Sequence, residues 1–270
     1  MSDEMFENDL EAVIKKSKKS KKDPKKNATE NTTSKYVYTS VDLPSNGALG
    51  YPSEIEYRDI LVKDEKTLAS STEKTFQRIL NNVLKGLMKD SSYFEKLTMH
   101  DRDYLLLWIW ANNYSTIKDI EMQCPHCGHN NNYKIDLTKI HIDDIDPDLK
   151  NPYPYKTKSG EEVSFRMLTV QDEDVARKFC NNNKDYDESF VMLCVSINFK
   201  QVLPLADKIK YIEENFTGKD MSVLRGFHKH FKYGIDDIVE KECNGCGEVN
   251  KIAIPFQIDF FIPALSSDFE

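Results

Sequence analysis

Two CxxCG motifs, Cys124-Pro125-His126-Cys127-Gly128 and Cys243-Asn244-Gly245-Cys246-Gly247, constrain this 270-residue chain more than any other feature. Two residues between cysteines let both thiolates turn toward one ion, and the glycine after the second allows the positive φ of a tight knuckle. Each pair offers two ligands, whereas tetrahedral Zn²⁺ takes four. Strand-like stretches follow the knuckles, Asn132-Tyr133-Lys134-Ile135-Asp136-Leu137 and Lys251-Ile252-Ala253-Ile254-Pro255-Phe256, which is the layout of a zinc ribbon. The expected centre is one structural Zn²⁺ held by Cys124, Cys127, Cys243 and Cys246. The pairs stand 115 residues apart, where a compact ribbon has ~15–20 between them. The ion is therefore expected to clasp distant parts of the chain.

An internal duplication accounts for that distance. At an offset of 108, Ile55, Tyr57, Ile60 and Val62 fall on Val163, Phe165, Leu168 and Val170. Each pattern reads as a strand and runs into an acidic pair, Asp64-Glu65 or Asp172-Glu173, suited to the first turn of a helix. From Leu97 to Leu137 the offset becomes 119, placing Thr98, Asp101, Leu105 and Tyr114 on Thr217, Asp220, Leu224 and Tyr233. Both cysteine pairs obey it, since 243 − 124 and 246 − 127 are each 119. The change of offset predicts about eleven extra residues in the helical region of the second copy. The expected fold class is α+β: two tandem pseudo-repeats, each strand, helices, strand–CxxC knuckle–strand, joined by a shared four-cysteine, zinc-ribbon-like site. Residues 35–150 form the first repeat and 151–270 the second, with Leu43-Pro44-Ser45-Asn46-Gly47 as a turn near the start.

Residues 1–34 read differently. Phe6, Leu10, Val13 and Ile14 share one face of a short helix, a candidate partner-binding stripe too short to be stable alone. Residues 15–26 hold eight lysines against Asp23, a local +7, so the net charge of −8 leaves −15 for everything else. This low-hydrophobicity stretch is expected to be a flexible tether. The acidic remainder argues against nucleic acid or an anionic membrane as main partner. No apolar run approaches ~18 residues, so no transmembrane helix is expected. The opening Met1-Ser2-Asp3-Glu4 lacks an apolar signal stretch, placing synthesis in a reducing cytoplasm where cysteines are thiols or metal ligands.

Cys-Pro-His-Cys also occurs in thioredoxin-type redox sites, but that chemistry needs a helix directly after the motif, and Gly128-His129-Asn130-Asn131-Asn132 reads as a turn into a strand. His126 and His129 adjoin a site that four cysteines already satisfy. Cys180 and Cys194 read as buried thiols on helices. No GxSxG, GxxxxGK[ST], HExxH or GxGxxG is present. His228 and His230 are expected on a helix surface, and the pairs Asp143-Asp144 and Asp236-Asp237 in turns or at element ends. Leu105-Leu106-Leu107-Trp108-Ile109-Trp110 predicts a helix buried nearly all round. The chain is thus expected to be no enzyme and to take no small-molecule substrate.

The order of these motifs resembles the T4-type bacteriophage baseplate proteins. Leu43-Pro44-Ser45-Asn46-Gly47, a strand ending in Arg58, Asp64-Glu65-Lys66, Asp103-Tyr104-Leu105-Leu106-Leu107 and Cys124-Pro125-His126-Cys127-Gly128 carry the resemblance, which covers roughly residues 40–137. It is to hub or hub-assembly proteins of contractile-tailed phages. It implies a structural or assembly component of the tail baseplate, made in the host cytoplasm, whose partners are other tail or baseplate proteins. A zinc-ribbon adaptor in a nucleic-acid-processing complex is the alternative, distinguished by basic or aromatic residues on the ribbon strands. The strands around the second knuckle instead carry Asp236, Asp237, Glu240, Glu242 and Glu248.

Overall fold

Each apolar strand pattern closes a hairpin. In the computed structural model, which describes residues 35–236 and 238–254, β1 (Thr39–Asp42) pairs antiparallel with β2 (Glu54–Tyr57). Val41, Ile55 and Tyr57 point inward, and their neighbours are exposed. The predicted turn joins the strands, with Asn46 and Gly47 at φ 48° and 76°. A second hairpin, β6 (Tyr153–Lys156) and β7 (Glu162–Phe165), buries Val163 and Phe165 and adds a third strand, β8 (Ile197–Phe199). The sequence pattern showed only one strand in each place. β1 buries a single side chain and β6 contains Pro154, so neither carries a legible alternation.

One device starts the helix after each hairpin. Arg58 leaves β2 and donates to both carboxylate oxygens of Asp64, at 2.7 and 3.1 Å. Arg166 leaves β7 and holds Asp172 at 2.5 and 2.8 Å. These aspartates also accept the backbone N–H of Leu61 and Thr169, the N-caps of α1 (Val62–Ala69) and α4 (Val170–Asn182). Burial alone would raise the Asp172 carboxyl, but the Arg166 guanidinium outweighs it and holds the group below the usual range. The acidic pairs therefore sit in first turns as expected.

Among the described residues the other α-helices are α2 (Glu73–Leu87), α3 (Met99–Asn113), α5 (Glu188–Val195), α6 (Leu205–Asn215) and α7 (Gly218–His230). Thr98 and Thr217 cap α3 and α7, accepting from the N–H of Asp101 and Asp220. Helix α3 buries Leu105, Leu106, Leu107, Ile109 and Trp110, the near-complete burial its sequence predicts. Helix α7 departs from expectation. Its buried stripe runs Met221, Leu224, Phe227, and His228 lies on that stripe four residues after Leu224. His228 is accordingly half-buried, with Nε2 3.0 Å from Ser196 Oγ. Burial, with Arg166 nearby, lowers its imidazole to about 4. His230 is exposed, Cys194 is buried with its thiol pushed up to about 12, and Cys180 is half-buried.

The chain divides into a unit Met1–Val37 and a unit Tyr38–Glu270, and the elements above belong to the second. Two apolar clusters fill it among the described residues. One gathers Leu84, Leu97, Leu105 and Trp110, but also Val170, Ile235, Ile252 and Ile254. The other gathers Phe165, Val191, Cys194, Ile197, Ile209 and Leu224. Polar links cross between early and late sequence. β5 (Ile142–Asp143) pairs with β9 (Gly234–Ile235), and Val170 N donates to Leu97 O at 2.9 Å. Arg102 donates to Glu173 at 2.6 Å with both side chains nearly sealed, and Asn81 donates to the same carboxylate oxygen at 3.2 Å. Fully buried Asp101 accepts from Ser45 N and the Tyr51 hydroxyl, while the Tyr233 hydroxyl meets Thr98 Oγ1. Burial raises the Asp101 carboxyl and lifts the Tyr51 hydroxyl to about 12.

Candidate metal centre

The two knuckles sit at the tips of matching antiparallel hairpins, β3 (Ile117–Gln123) with β4 (Asn130–Asp136), and β10 (Ile238–Glu242) with β11 (Val249–Ala253). Alternation along β4 and β11 points Tyr133, Ile135 and Ile252 into one apolar cluster, which Ile254 joins just past β11. That shared burial brings the tips together. Each knuckle closes in the same way: Gly128 N donates to Cys124 O and Gly247 N to Cys243 O, both at 2.9 Å. Gly128 and Gly247 adopt φ 75° and 77°, a conformation that excludes most side chains.

The thiols of Cys124, Cys127, Cys243 and Cys246 converge, all four Sγ atoms lying within 4.8 Å of one another. Across the knuckles, Cys124 Sγ is 3.9 Å from Cys246 Sγ and Cys127 Sγ is 3.7 Å from Cys243 Sγ. A tetrahedral ion with metal–sulfur bonds of ~2.3 Å places its sulfurs about 3.8 Å apart, so the spacing fits. Among the described residues no other His, Cys, Asp or Glu joins the group, so His126 and His129 lie outside the ligand set. Cys124 and Cys243 are buried, and Cys127 and Cys246 face solvent.

Electrostatics favour a cation here. Desolvation works against ionising Cys243, but the N–H groups of Cys246 and Gly245 and the Asn131 amide outweigh it and bring the thiol to about 6. The same balance, with N–H groups of Cys127 and His126, lowers Cys124. At Cys127 the N–H of His129 and the Cys246 sulfur favour the thiolate, but burial and the sulfurs of Cys243 and Cys124 outweigh them. At Cys246 the Cys127 sulfur and burial outweigh the N–H of Glu248 and raise the thiol to about 12. Four thiolates cannot share this space unless a cation offsets their repulsion. Each knuckle leads into a strand, β4 or β11, whereas redox activation needs a helix there.

Four further residues shape the centre without being evident as site residues in the sequence. Asn131 and Asn250 are buried beside the cysteines, and Tyr133 supports Asn250 through a 2.8 Å hydrogen bond. The signal was available: 250 − 131 is again 119, and both asparagines occupy inward positions of strands. Gly245 is the fourth. A Cβ there would lie 2.8 Å from His129 Cβ and 3.4 Å from Cys127 Sγ. Gly245→Ala is expected to push the knuckles apart and destabilise by about 1–3 kcal/mol. Adding His129→Gly should recover most of that loss, read as the urea midpoint of single and double variants. The expected partner stripe, Phe6, Leu10, Val13 and Ile14, lies outside the described residues.

The fold and site define an α+β protein in which two β-hairpins, from distant parts of the chain, meet at a four-thiol cluster able to hold a metal ion. The chain belongs to a family described as T4 bacteriophage base plate protein, which matches residues 35–262. No curated protein and no solved structure matches it. Membership makes it a structural protein of the phage tail baseplate. No helix among the described residues is long and apolar enough to cross a membrane.

Proposed function

We propose that this chain bridges other proteins of a contractile tail baseplate, and that its rigidity comes from two pseudo-repeats clasped by one structural Zn²⁺. The observation that carries the baseplate reading is the family match over most of the chain. The sulfur spacing supports the ion, and an all-thiolate tetrahedral set suits Zn²⁺, which imposes no redox chemistry on a purely structural part.

Paired details support the duplication. Arg58–Asp64 and Arg166–Asp172 are related by 108, and the caps Thr98–Asp101 and Thr217–Asp220 by 119. The ends of α2 and α5, Leu87 and Val195, still differ by 108. The extra residues then fall between Val195 and Thr217, where β8 and α6 stand in place of a six-residue 3-10 helix, Ser91–Lys96. Residues 35–150 and 151–270 are the proposed copies, and 1–34 a tethered segment.

Two features favour protein partners over nucleic acid. The exposed ribbon positions carry Asp119, Glu121, Glu240 and Glu242 against Lys134 and Lys251, with no aromatic ring among them. The stripe Phe6, Leu10, Val13 and Ile14 offers an apolar face that a tether can deliver to a groove on a neighbouring baseplate protein, during assembly in the host cytoplasm. Affinity capture from infected-cell lysate, beside proteomics of purified particles, tests this reading. Full-length protein should recover baseplate proteins, and deletion of residues 2–14 should reduce that recovery while leaving the melting temperature unchanged. Recovery of no baseplate protein by the full chain would contradict it.

A further inference from the structure

We propose that Asn131 and Asn250 form a reciprocal pair of positioning residues for the ion, each donating its side-chain amide to the inner thiolate of the opposite knuckle. The inference rests on the four-thiolate reading above. Asn131 follows the first knuckle, yet its Nδ2 lies 3.5 Å from Cys243 Sγ and its Oδ1 accepts the N–H of Asn244 at 2.9 Å. It therefore holds the second knuckle twice, and a further donation to His129 O at 3.1 Å ties it to its own. Asn250 follows the second knuckle and sits 3.5 Å from Cys124 Sγ of the first. Both asparagines are at least 97% buried, at 3% and 1% exposure, where an unpaired amide is costly.

The two contacts differ in one atom. Cys124 meets Asn250 through Oδ1, as a protonated thiol would, while Asn250 Nδ2 donates to the Tyr133 hydroxyl. A metal ion takes the place of the thiol proton, and the thiolate that remains can only accept. The amide must then exchange its ends, since two acceptors facing each other repel. Such a half-turn keeps both contacts: Nδ2 donates to Cys124 Sγ, and the Tyr133 hydroxyl turns to donate to Oδ1. The loaded centre thereby has an N–H···S bond on each buried sulfur, supplied each time by the other half of the chain. A divalent ion with four thiolates carries a net charge of −2. Cys127 and Cys246 are exposed to solvent, whereas buried Cys124 and Cys243 have these amides beside the backbone N–H groups of their own knuckles.

Loading the full-length protein with ¹¹³Cd tests this on the unaltered chain. Elemental analysis first counts the bound ion. Through-bond coupling between ¹¹³Cd and side-chain amide protons then reports N–H···S bonds directly. Coupling to the amides of both Asn131 and Asn250 is expected. Coupling to Asn131 alone, or to neither, with one cadmium bound overturns the reciprocal pair and leaves the metal centre standing. Failure to bind cadmium removes the metal centre itself, and the pair with it. As a second arm, Asn131→Asp and Asn250→Asp keep the size of the side chain but put a carboxylate oxygen where the donor was. Each is expected to weaken zinc roughly 10–100-fold in chelator competition, and affinities within twofold of the native chain would overturn the proposal.

Discussion

Cys243→Ser is expected to release the ion as completely as Cys124→Ser, although 119 residues separate the two positions. Each substitution removes one thiolate from a set whose four sulfurs lie within 4.8 Å of one another, and three ligands leave a structural site open. Because the unfolded chain has no preformed site, ion binding adds to folding stability. Tyr133, Ile135, Ile252 and Ile254 still share an apolar cluster without it, so the fold should survive in weakened form. A loss of several kcal/mol is expected from either variant, or from chelation of the native chain, read by urea denaturation with metal content measured in parallel. Retention of full metal content by Cys243→Ser, with loss in Cys124→Ser, would mean that the first knuckle binds alone.

Glu173→Ala carries the next largest effect. Arg102 is buried to 4% side-chain exposure and donates to Glu173 at 2.6 Å, while Asp103 takes its other side at 2.8 Å. Removing Glu173 leaves part of a guanidinium charge sealed from water and orphans the Asn81 amide that shares the carboxylate. Breaking one partner of a buried pair typically costs about 3–5 kcal/mol, most of it the penalty of the stranded charge. Replacing both partners by apolar residues of similar size, as in Arg102→Met with Glu173→Leu, should cost less than Glu173→Ala alone. A double variant as unstable as the single one would show that packing at this point, not the stranded charge, sets the loss.

Much of this architecture was legible because single residue types enforce it. CxxCG allows few arrangements, and its exact repetition at 119 announced a shared centre before any contact was known. The acidic pairs after Arg58 and Arg166 likewise marked helix starts, since an aspartate in a first turn serves the helix and the arginine at once. What stayed hidden depends on tertiary partners. β1 and β6 exist because β2 and β7 offer them edges, and their own residues carry little alternation. His228 looked like a surface residue from its spacing to His230, but it continues the apolar stripe of α7 and meets Ser196. Asn131 looked like part of the turn after its knuckle, but it and Asn250, again 119 residues apart, turn inward beside sulfur.

The proposed clasp is one ion bound by cysteines from both halves of the chain. X-ray absorption at the zinc edge of the purified full-length protein tests it most directly. One zinc per chain is expected, surrounded by four sulfurs at ~2.3 Å, with no nitrogen or oxygen in the ligand shell. A shell of two sulfurs completed by nitrogen or oxygen would contradict it, because each knuckle would then hold its metal without the other.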